Sequence, residues 1–324
     1  MSIVSTVSTA SYILGIGAAN VDVSGRPHSS PVLRDSNMGQ VHTAVGGVTH
    51  NILANLALLG AGVQQLSAVG DDLYGRAVLA DLRARGIDSQ QVAVLPACHT
   101  ATHLVVLDEQ GDMLVAVSDL SIYRQLGPEL LTAAQRDIER ADWLVCDGSL
   151  PEALMAVISR QIAPQKPVLW DPVSTQNARR LRPYLNGLHT VTPNVYELAA
   201  LTGLPVGDRR QLQLAAQRLL DAGVQAVVVT LGARGCYYCD RAGNSLFRHL
   251  PPAKQVRSAV GAGDAFAAGL LWGYCQKSAP TQCLDMALAA GLLATQHPDT
   301  VNPHMSLTAL QALLRAPAVT SCNR

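Results

Sequence analysis

Short apolar runs alternate with segments of helical periodicity along most of this chain. The run ILGIGA (13–18) is apolar and ends in small residues, which is typical of a buried strand. The segment 49–60 instead repeats its apolar residues with helical spacing and stops at a glycine. This alternation predicts a mainly parallel sheet covered by helices on both faces. The other predicted strands are 66–70, 143–148, 167–171, 189–193 and 226–232, and the other predicted helices are 74–85, 128–140, 151–161, 194–202, 209–222, 264–276, 282–296 and 306–314.

Two regions of the first half do not follow this alternation. Residues 21–45 are polar and rich in turn-forming residues, and residues 101–119 form two alternating β-type arms around DEQGD, as in a hairpin. We therefore expect a small β lid over one end of the sheet, built from two insertions at about 21–45 and 91–120. No repeat or linker interrupts the chain, so the pattern favours a single domain over 1–324.

Composition and charge restrict the classes of partner. The chain has 324 residues, of which 48% are hydrophobic, and this is ample for one large core or two smaller ones. The 24 basic and 24 acidic residues balance, which gives no sign of a nucleic-acid or membrane-binding surface. No apolar stretch reaches the roughly 18 residues of a membrane span, and the N-terminus lacks the features of a signal peptide. Seven scattered cysteines fit a reducing compartment, so we expect a cytoplasmic protein.

Several common catalytic motifs are missing. The three lysines do not follow glycine, so the chain has no GxxxxGK[ST] phosphate loop. It also lacks the HExxH zinc motif and the GxSxG nucleophile elbow. Cys236 and Cys239 form one CxxC, but a zinc site needs about four converging ligands, so we interpret them as ordinary strand cysteines.

The stretch RSAVGAGDAFAAGLLWG (257–273) places a carboxylate, Asp264, at the start of an otherwise apolar helix. The residues allow two interpretations. Asp264 could cap the helix, because aspartate is a favoured N-cap residue. Alternatively, the glycines could bring free backbone N–H groups to an anion, with Asp264 as a functional carboxylate.

Four further motifs are weak when each is taken alone. GIGAAN (15–20) departs from a dinucleotide fingerprint and places Asn20, followed by Asp22, after the first strand, at the sheet edge where α/β proteins bind ligands. AVGGVTHN (44–51) places two glycines before a helix, and TPNVYE (192–197) offers a carboxylate three residues after an asparagine. TLGARG (230–235) ends a strand with glycines. Turns and helix caps would explain each of them equally well.

The order of these motifs is far more specific. GxxNxD, GGxxxN, a β lid, NxxE, TxGxxG and GAGD in this order resemble the ribokinase-like (PfkB-type) sugar and nucleoside kinases from about residue 13 to about residue 314. The resemblance implies a three-layer α/β/α fold with a mainly parallel sheet and a lid. It also implies ATP and Mg²⁺ as cofactors, and relatives often form homodimers through their lids.

The resemblance also implies roles for individual residues. Asp264 would be the base that takes a proton from the substrate hydroxyl, and the amides of Gly261, Ala262 and Gly263 would stabilise the developing phosphoryl charge. Asn194 and Glu197 would organise Mg²⁺ through water. The residues implied at the nucleotide site are Asn194, Glu197, Thr230, Gly232, Gly235 and Asn302, and those implied at the substrate site or its lid are Asn20, Asp22, Asn37, Gly46, Gly47, Asn51, Thr102 and Asp119.

Five stretches point to a substrate class within the family. Their strongest resemblance is to members that phosphorylate the 5′-hydroxyl of the nucleoside pseudouridine. Another nucleoside or a sugar (inosine, adenosine, ribose or fructose) stays open as the substrate, as does a binding protein that has lost catalysis. The stretches are 35–60, 67–75, 107–122, 171–174 and 188–203.

Two departures from the family pattern bear on the site. Many relatives have Asp-Thr-Thr before GAGD, where the carboxylate helps to hold a monovalent cation, whereas this chain has Ser258, Ala259 and Val260. Activation by K⁺ is therefore doubtful, because a hard cation loses its carboxylate. Relatives also tend to have GGVGRN where this chain has GGVTHN, so Thr49 and His50 replace a glycine and an arginine.

Overall fold

A twisted nine-stranded sheet forms the centre of the computed structural model, which describes residues 11–251 and 255–315. Its strands lie in the order β13-β12-β11-β10-β9-β8-β1-β4-β5. All neighbouring pairs from β11 to β5 are parallel, and β12 and β13 add an antiparallel edge. The strands are β1 (Tyr12–Ile16), β4 (Gly62–Gly70), β5 (Asp88–Leu95), β8 (Trp143–Asp147), β9 (Val168–Asp171), β10 (Thr190–Val191), β11 (Ala226–Thr230), β12 (Cys236–Asp240) and β13 (Ser245–Arg248).

Helices cover both faces of this sheet. Successive residues of a strand point to opposite faces, so Leu144 of β8 packs into one core and Val145 into the other. One core receives α3 to α8, and the other receives α1, α2, α9 and α10. The helices are α1 (Val48–Leu58), α2 (Leu73–Ala84), α3 (Pro128–Ala133), α4 (Gln135–Arg140), α5 (Glu152–Val157), α6 (Thr175–Leu181), α7 (Val195–Thr202), α8 (Arg209–Asp221), α9 (Ala262–Cys275), α10 (Pro280–Ala294) and α11 (Leu307–Arg315).

A second, four-stranded sheet forms the lid. Its strands are β2 (Asn20–Pro27), β3 (Gly39–Gly46), β6 (Thr102–Leu107) and β7 (Met113–Asp119), in the order β3-β2-β6-β7. The parallel pairing of β2 with β6 joins two segments that are far apart in the sequence. The three-layer fold and the β lid confirm the predicted fold class. The second lid segment begins later than the expected residue 91, because β5 belongs to the large sheet.

The order of the strands places a crevice beside β1. From β1 the chain continues to β4 and β5 on one side, whereas β8 and the strands after it lie on the other side. Open α/β sheets bind ligands at such a switch point, beyond the carboxyl ends of the strands. The segments that follow β1 and β8 reach this edge of the sheet, and the lid lies next to it. The residues that follow these strands are therefore candidates for a ligand-binding site.

Candidate active site

Two clefts lie at this edge of the large sheet, and the first turn of α9 borders both. The first has a volume of about 980 Å³ and lies beneath the lid. The second has a volume of about 690 Å³ and lies along β11, α9 and α10. Asp264 lines the first cleft, whereas Ala262 and Gly263 line the second. A group in one cleft can therefore meet a group in the other at the start of this helix.

The start of α9 depends on a glycine. Gly261 is the N-cap residue and has a φ of 79°, in the left-handed region that favours glycine. A Cβ atom at this position would lie 2.1 Å from the carbonyl oxygen of Thr300. No side chain among the described residues caps the helix, but the N–H of Ala262 donates a hydrogen bond of 3.3 Å to the carbonyl of Ala259. The N–H groups of Gly263 and Asp264 stay available to an anion.

Asp264 does not act as a helix cap, so the first of the two interpretations left open by the sequence is wrong. Its side chain occupies the third helical position, and its Oδ2 accepts a hydrogen bond of 2.8 Å from Nδ2 of Asn51 on α1. Burial raises the pKa of Asp264 to about 7, against this hydrogen bond, and the charges of Asp147 and Asp22 act in the same direction as burial. A carboxylate with this pKa can accept a proton near neutral pH.

The substrate residues implied by the motifs lie mostly in the first cleft. Asn20, Asp22, Gly47 and Asn51 line it together with Asp264. Asn20 donates a hydrogen bond of 2.7 Å to Asp22 at the start of β2, which fixes this carboxylate toward the cleft. Burial raises the pKa of Asp22, although the hydrogen bond from Asn20 lowers it. Gly46 precedes Gly47 at the end of β3 but does not line the cleft.

The inner face of the lid borders the first cleft, but only some of the lid residues predicted from the sequence line it. Asp119 lines the cleft, together with His103 and Ser118, which the sequence had not indicated. Thr102 donates a hydrogen bond to the carbonyl of Thr100 and does not line it. Asn37 lies away from the cleft too, and its side chain closes a loop by bonding to the backbone of Val32.

The second cleft combines glycines with an apolar wall. Thr230, Gly232 and Gly235 line it at the end of β11, with Asn194 beside them. Its opposite wall is formed by the side chains of Phe266, Leu250, Leu288 and Leu292. An apolar wall suits a purine base, and free first-turn amides suit phosphates, so these residues fit a nucleoside triphosphate.

Asn302 lies outside this cleft. Its side chain is buried, donates a hydrogen bond to the carbonyl of Leu293 and accepts one from the N–H of His304. These bonds fold the chain back toward α10. The structure therefore gives Asn302 a structural contact and does not bring it to the apolar wall of the second cleft.

The NxxE motif forms a capping box at the start of α7. Asn194 accepts hydrogen bonds from the N–H groups of Tyr196 and Glu197, and Oε2 of Glu197 accepts one from the N–H of Asn194. Burial raises the pKa of Glu197, although its bonds to Asn194 lower it. Burial raises the pKa of Asp171 as well, and the charges of Glu197 and Asp264 add to this effect. These neighbouring carboxylates would be stabilised in the ionised form by a divalent cation.

The described residues contain no group of three or more His, Cys, Asp or Glu side chains arranged to hold a metal ion. Mg²⁺ usually keeps several waters and binds through one or two carboxylates and substrate phosphates, so the acidic side chains here fit a water-mediated ion. Cys236 and Cys239 lie on β12 and pack into opposite cores, so they cannot share a ligand. The loop at 258–260 contributes no carboxylate, and reduced dependence on K⁺ stays a prediction.

Asp147 is the main site residue that the sequence analysis missed. It is buried at the end of β8, and its Oδ2 accepts hydrogen bonds from the N–H of Ala18 and from both the N–H and the hydroxyl of Thr49. Its Oδ1 accepts bonds from the N–H and hydroxyl of Ser149. Asp147 therefore ties the segment after β1 and the first turn of α1 to the turn after β8, beside the first cleft. Its position directly after an apolar strand, as for Asp171, is the signal that could have revealed it.

Comparison with known proteins defines the class. The pattern of the pfkB family carbohydrate kinases matches residues 10–306, so the chain belongs to this family and is a phosphotransferase that acts on hydroxyl groups. The chain is 34% identical over 303 residues to the pseudouridine kinase of Escherichia coli (strain K12), covering 94% of this chain and 96% of that protein. It is 27% identical over 304 residues to the guanosine-inosine kinase of Exiguobacterium acetylicum, covering 91% and 98%.

A solved structure supports the fold. The ribokinase of Arabidopsis thaliana, complexed with ribose and ATP, superposes with a TM-score of 0.85 at 22% identity. The match covers 95% of this chain and 99% of that one. No helix among the described residues is long and apolar enough to cross a membrane.

Proposed function

We propose that this protein is a pseudouridine kinase that transfers the γ-phosphoryl group of ATP to the 5′-hydroxyl of pseudouridine. The observation that carries the proposal is the position of the first turn of α9. Asp264 lines the lid-covered cleft, and Ala262 and Gly263 line the second cleft. A hydroxyl bound beneath the lid and a triphosphate bound along α9 would meet beside one carboxylate.

The reaction follows from these contacts. Ionised Asp264 accepts the proton of the 5′-hydroxyl while this oxygen forms a bond to the γ-phosphorus. The bond between the γ-phosphorus and the oxygen bridging to the β-phosphate breaks, and ADP leaves with that oxygen. The first-turn amides of α9 stabilise the negative charge on the phosphoryl oxygens. Pseudouridine 5′-phosphate and ADP are the products.

Other residues of the chain hold the reactants. Asp22, Gly47 and Asn51 face the space where a ribose would lie, and two carboxylate oxygens on Asp22 suit a vicinal diol. Thr230 and Gly232 border the triphosphate side, and the Phe266 wall receives the base of the nucleotide. Mg²⁺, when bound through water near Asn194 and Glu197, supplies positive charge that neutralises the phosphates.

The identity of the nucleoside rests on similarity and is tested by a substrate panel. The purified protein is incubated with Mg-ATP and pseudouridine, uridine, inosine, guanosine, adenosine, ribose or fructose, and the products are identified by mass spectrometry. We expect pseudouridine to have the highest kcat/KM. Efficient turnover of another substrate with pseudouridine inert would replace the proposed substrate but keep the family. Binding of nucleosides without turnover of any of them would contradict the kinase activity itself.

We also propose that the whole chain works as one kinase domain and pairs with a second copy through its lid. Residues of both halves of the chain line the first cleft. The lid strands β3 and β7 are open edges, which favour pairing with another chain. The register aligns Leu104 with Val117 and Val106 with Val115, and all four side chains are exposed on the face opposite His103 and Ser118. A second lid would cover this apolar face.

A further inference from the structure

His50 lies at a position where its ring is held between two hydrogen-bond acceptors. Its side chain is fully buried on α1, directly before Asn51. Nε2 lies 2.8 Å from Oδ2 of Asp81 on α2, and Nδ1 lies 3.1 Å from Oδ1 of Asn51. Asp81 also accepts a hydrogen bond of 2.7 Å from Arg85. The contacts form a continuous chain from Arg85 through Asp81, His50 and Asn51 to Asp264.

The chemistry of the acceptors fixes the proton positions in this chain. The ionised Asp264 carboxylate can only accept a hydrogen bond, so Asn51 presents its amide nitrogen to this form, at 2.8 Å. The amide oxygen of Asn51 therefore faces His50. Although burial alone would raise the pKa of Asp81, hydrogen bonds from His50 and Arg85 hold this pKa below its usual value. Both ring nitrogens of His50 thus face acceptors, an arrangement that a ring with a proton on each nitrogen satisfies.

We propose that His50, as an imidazolium ion, is a positioning residue that fixes the Asn51 amide so that its N–H group holds Asp264 as an ionised base. The proposal rests on the kinase function proposed above and adds a residue that touches neither reactant. It also gives a physical role to one of the two departures from the family pattern. His50 is the fifth residue of GGVTHN, directly before Asn51.

Loss of the His50 proton would reverse the orientation of the amide. A neutral ring keeps its proton on Nε2 and donates it in the hydrogen bond to Asp81. The lone pair of Nδ1 then faces the lone pairs of the Asn51 oxygen. This repulsion is relieved when the amide rotates and donates to Nδ1. The Asn51 oxygen then faces Asp264, which can meet it favourably only when protonated. A protonated Asp264 cannot accept the hydroxyl proton, so activity falls on the alkaline side.

The charges around His50 set the pH at which this happens. Asp81 and Arg85 face it from α2, Asp22 acts on it from β2, and Asp264 lies beyond Asn51 on α9. The carboxylates favour the imidazolium ion, whereas Arg85 opposes it by sharing Asp81. Removing Asp81 should therefore move the alkaline loss of activity to lower pH, and removing Arg85 should move it to higher pH.

The test compares kcat as a function of pH, from about pH 6 to about pH 9.5, for Asp81→Asn, Arg85→Gln and the control Asp71→Asn. Asp71 makes an exposed ion pair with Arg76 near the start of α2 and has no contact with His50 in the chain described above. We expect Asp81→Asn to lose about tenfold in kcat at about pH 8.5 and little at about pH 6.5, the effect of moving the alkaline limb by roughly one unit. Arg85→Gln should keep activity to higher pH than the wild type, and Asp71→Asn should match the wild type.

A purely structural role would give a different result. Equal loss at every pH in Asp81→Asn, or shifts of the same sign in Asp81→Asn and Arg85→Gln, would overturn the proposal. The ring ¹⁵N NMR spectrum of the wild type separates this proposal from the kinase function. The signals of His50 are assigned by their absence from the spectrum of His50→Gln. We expect two protonated ring nitrogens at neutral pH, whichever substrate is used, and a neutral tautomer there would contradict the proposal even if the protein is an active kinase.

Discussion

At the scale of a single residue, the environment of Asp264 decides its chemistry. A carboxylate in water has a pKa of about 4 and is a weak base near neutral pH. Asp264 is only partly exposed, and burial raises its pKa to about 7. The hydrogen bond from Asn51 opposes this rise and keeps the ionised form accessible. The result is a group whose proton affinity matches its proposed role as a base.

We predict that Asp264→Asn lowers kcat by roughly two to four orders of magnitude, because the amide cannot accept the hydroxyl proton. Binding of ATP, measured by calorimetry, should be retained, since Asp264 lines the other cleft. Near-normal kcat in this variant would remove Asp264 from the role of base.

The same variant has a second, independent readout. The folded protein binds the Asp264 proton more tightly than the unfolded chain, so the stabilising contribution of the protonated form is lost as pH rises from about 4 to about 7. We therefore predict that the variant has a higher Tm than the wild type at about pH 8. The difference should shrink as the pH is lowered through about 5, and a Tm difference independent of pH would argue against the raised pKa.

The activity of the wild type should also depend on pH through Asp264. We predict that kcat/KM falls about tenfold per unit as the pH is lowered below about 7, because protonated Asp264 cannot act as a base. Steady-state rates with the best substrate of the panel measure this limb. An acid limb that persists unchanged in the residual activity of Asp264→Asn would assign it to another group.

At the scale of an element, the first turn of α9 has two glycines with different physical roles. Gly261 needs its left-handed φ and the close approach to Thr300. Gly263 lies inside the helix, and a Cβ there would meet no atom within 4 Å, although it would point into the second cleft. One glycine is therefore required by the fold, whereas the other leaves space at the second cleft.

We predict opposite outcomes for the two alanine variants. Gly261→Ala should lower stability by at least about 1–2 kcal/mol, the cost of a left-handed alanine, before the clash with Thr300 is added. Gly263→Ala should keep or raise the Tm, since alanine favours a helix over glycine, yet should raise the KM for ATP. Thermal unfolding and steady-state kinetics measure both, and an unchanged KM in Gly263→Ala would mean that the phosphates do not approach this turn.

At the scale of the whole molecule, the lid has a cleft on one side and an apolar face on the other. His103 and Ser118 point to the cleft, whereas Leu104, Val106, Val115 and Val117 point away from it. Alternation along β6 and β7 produces both surfaces from the same strands. Association of two lids would thus act on the same element that covers the substrate.

We predict that Val115→Glu weakens association of the two copies at least tenfold, because a charge would be buried in an apolar contact. Light scattering coupled to size exclusion, over a range of protein concentrations, measures the mass. Leu214→Glu is the matched control, since Leu214 is about equally exposed, at 57% against 54%, but lies on α8. Equal masses for Val115→Glu and the wild type at all concentrations would contradict pairing through the lid.

The sequence predicted the repeating architecture well and its edges poorly. The alternation of apolar runs and helical periods located β1, β8, β9 and β11 and most of the helices, because burial on both faces imposes such patterns. It did not indicate β5 or β13. The stretch DSQQVAVL of β5 starts with polar residues, and β13 has only four residues at the sheet edge, where burial imposes little pattern.

What the sequence determined by itself was the set of local devices, each encoded within a few neighbouring residues: the strands and helices, the glycines that begin α1 and α9, and the NxxE capping box. The tertiary structure alone decided which distant side chains meet. Thr49 bonds to Asp147, His50 to Asp81 and Asn51 to Asp264, across separations of 98, 31 and 213 residues. Such contacts depend on how the elements pack, and packing also sets the burial that gives Asp264 its basicity.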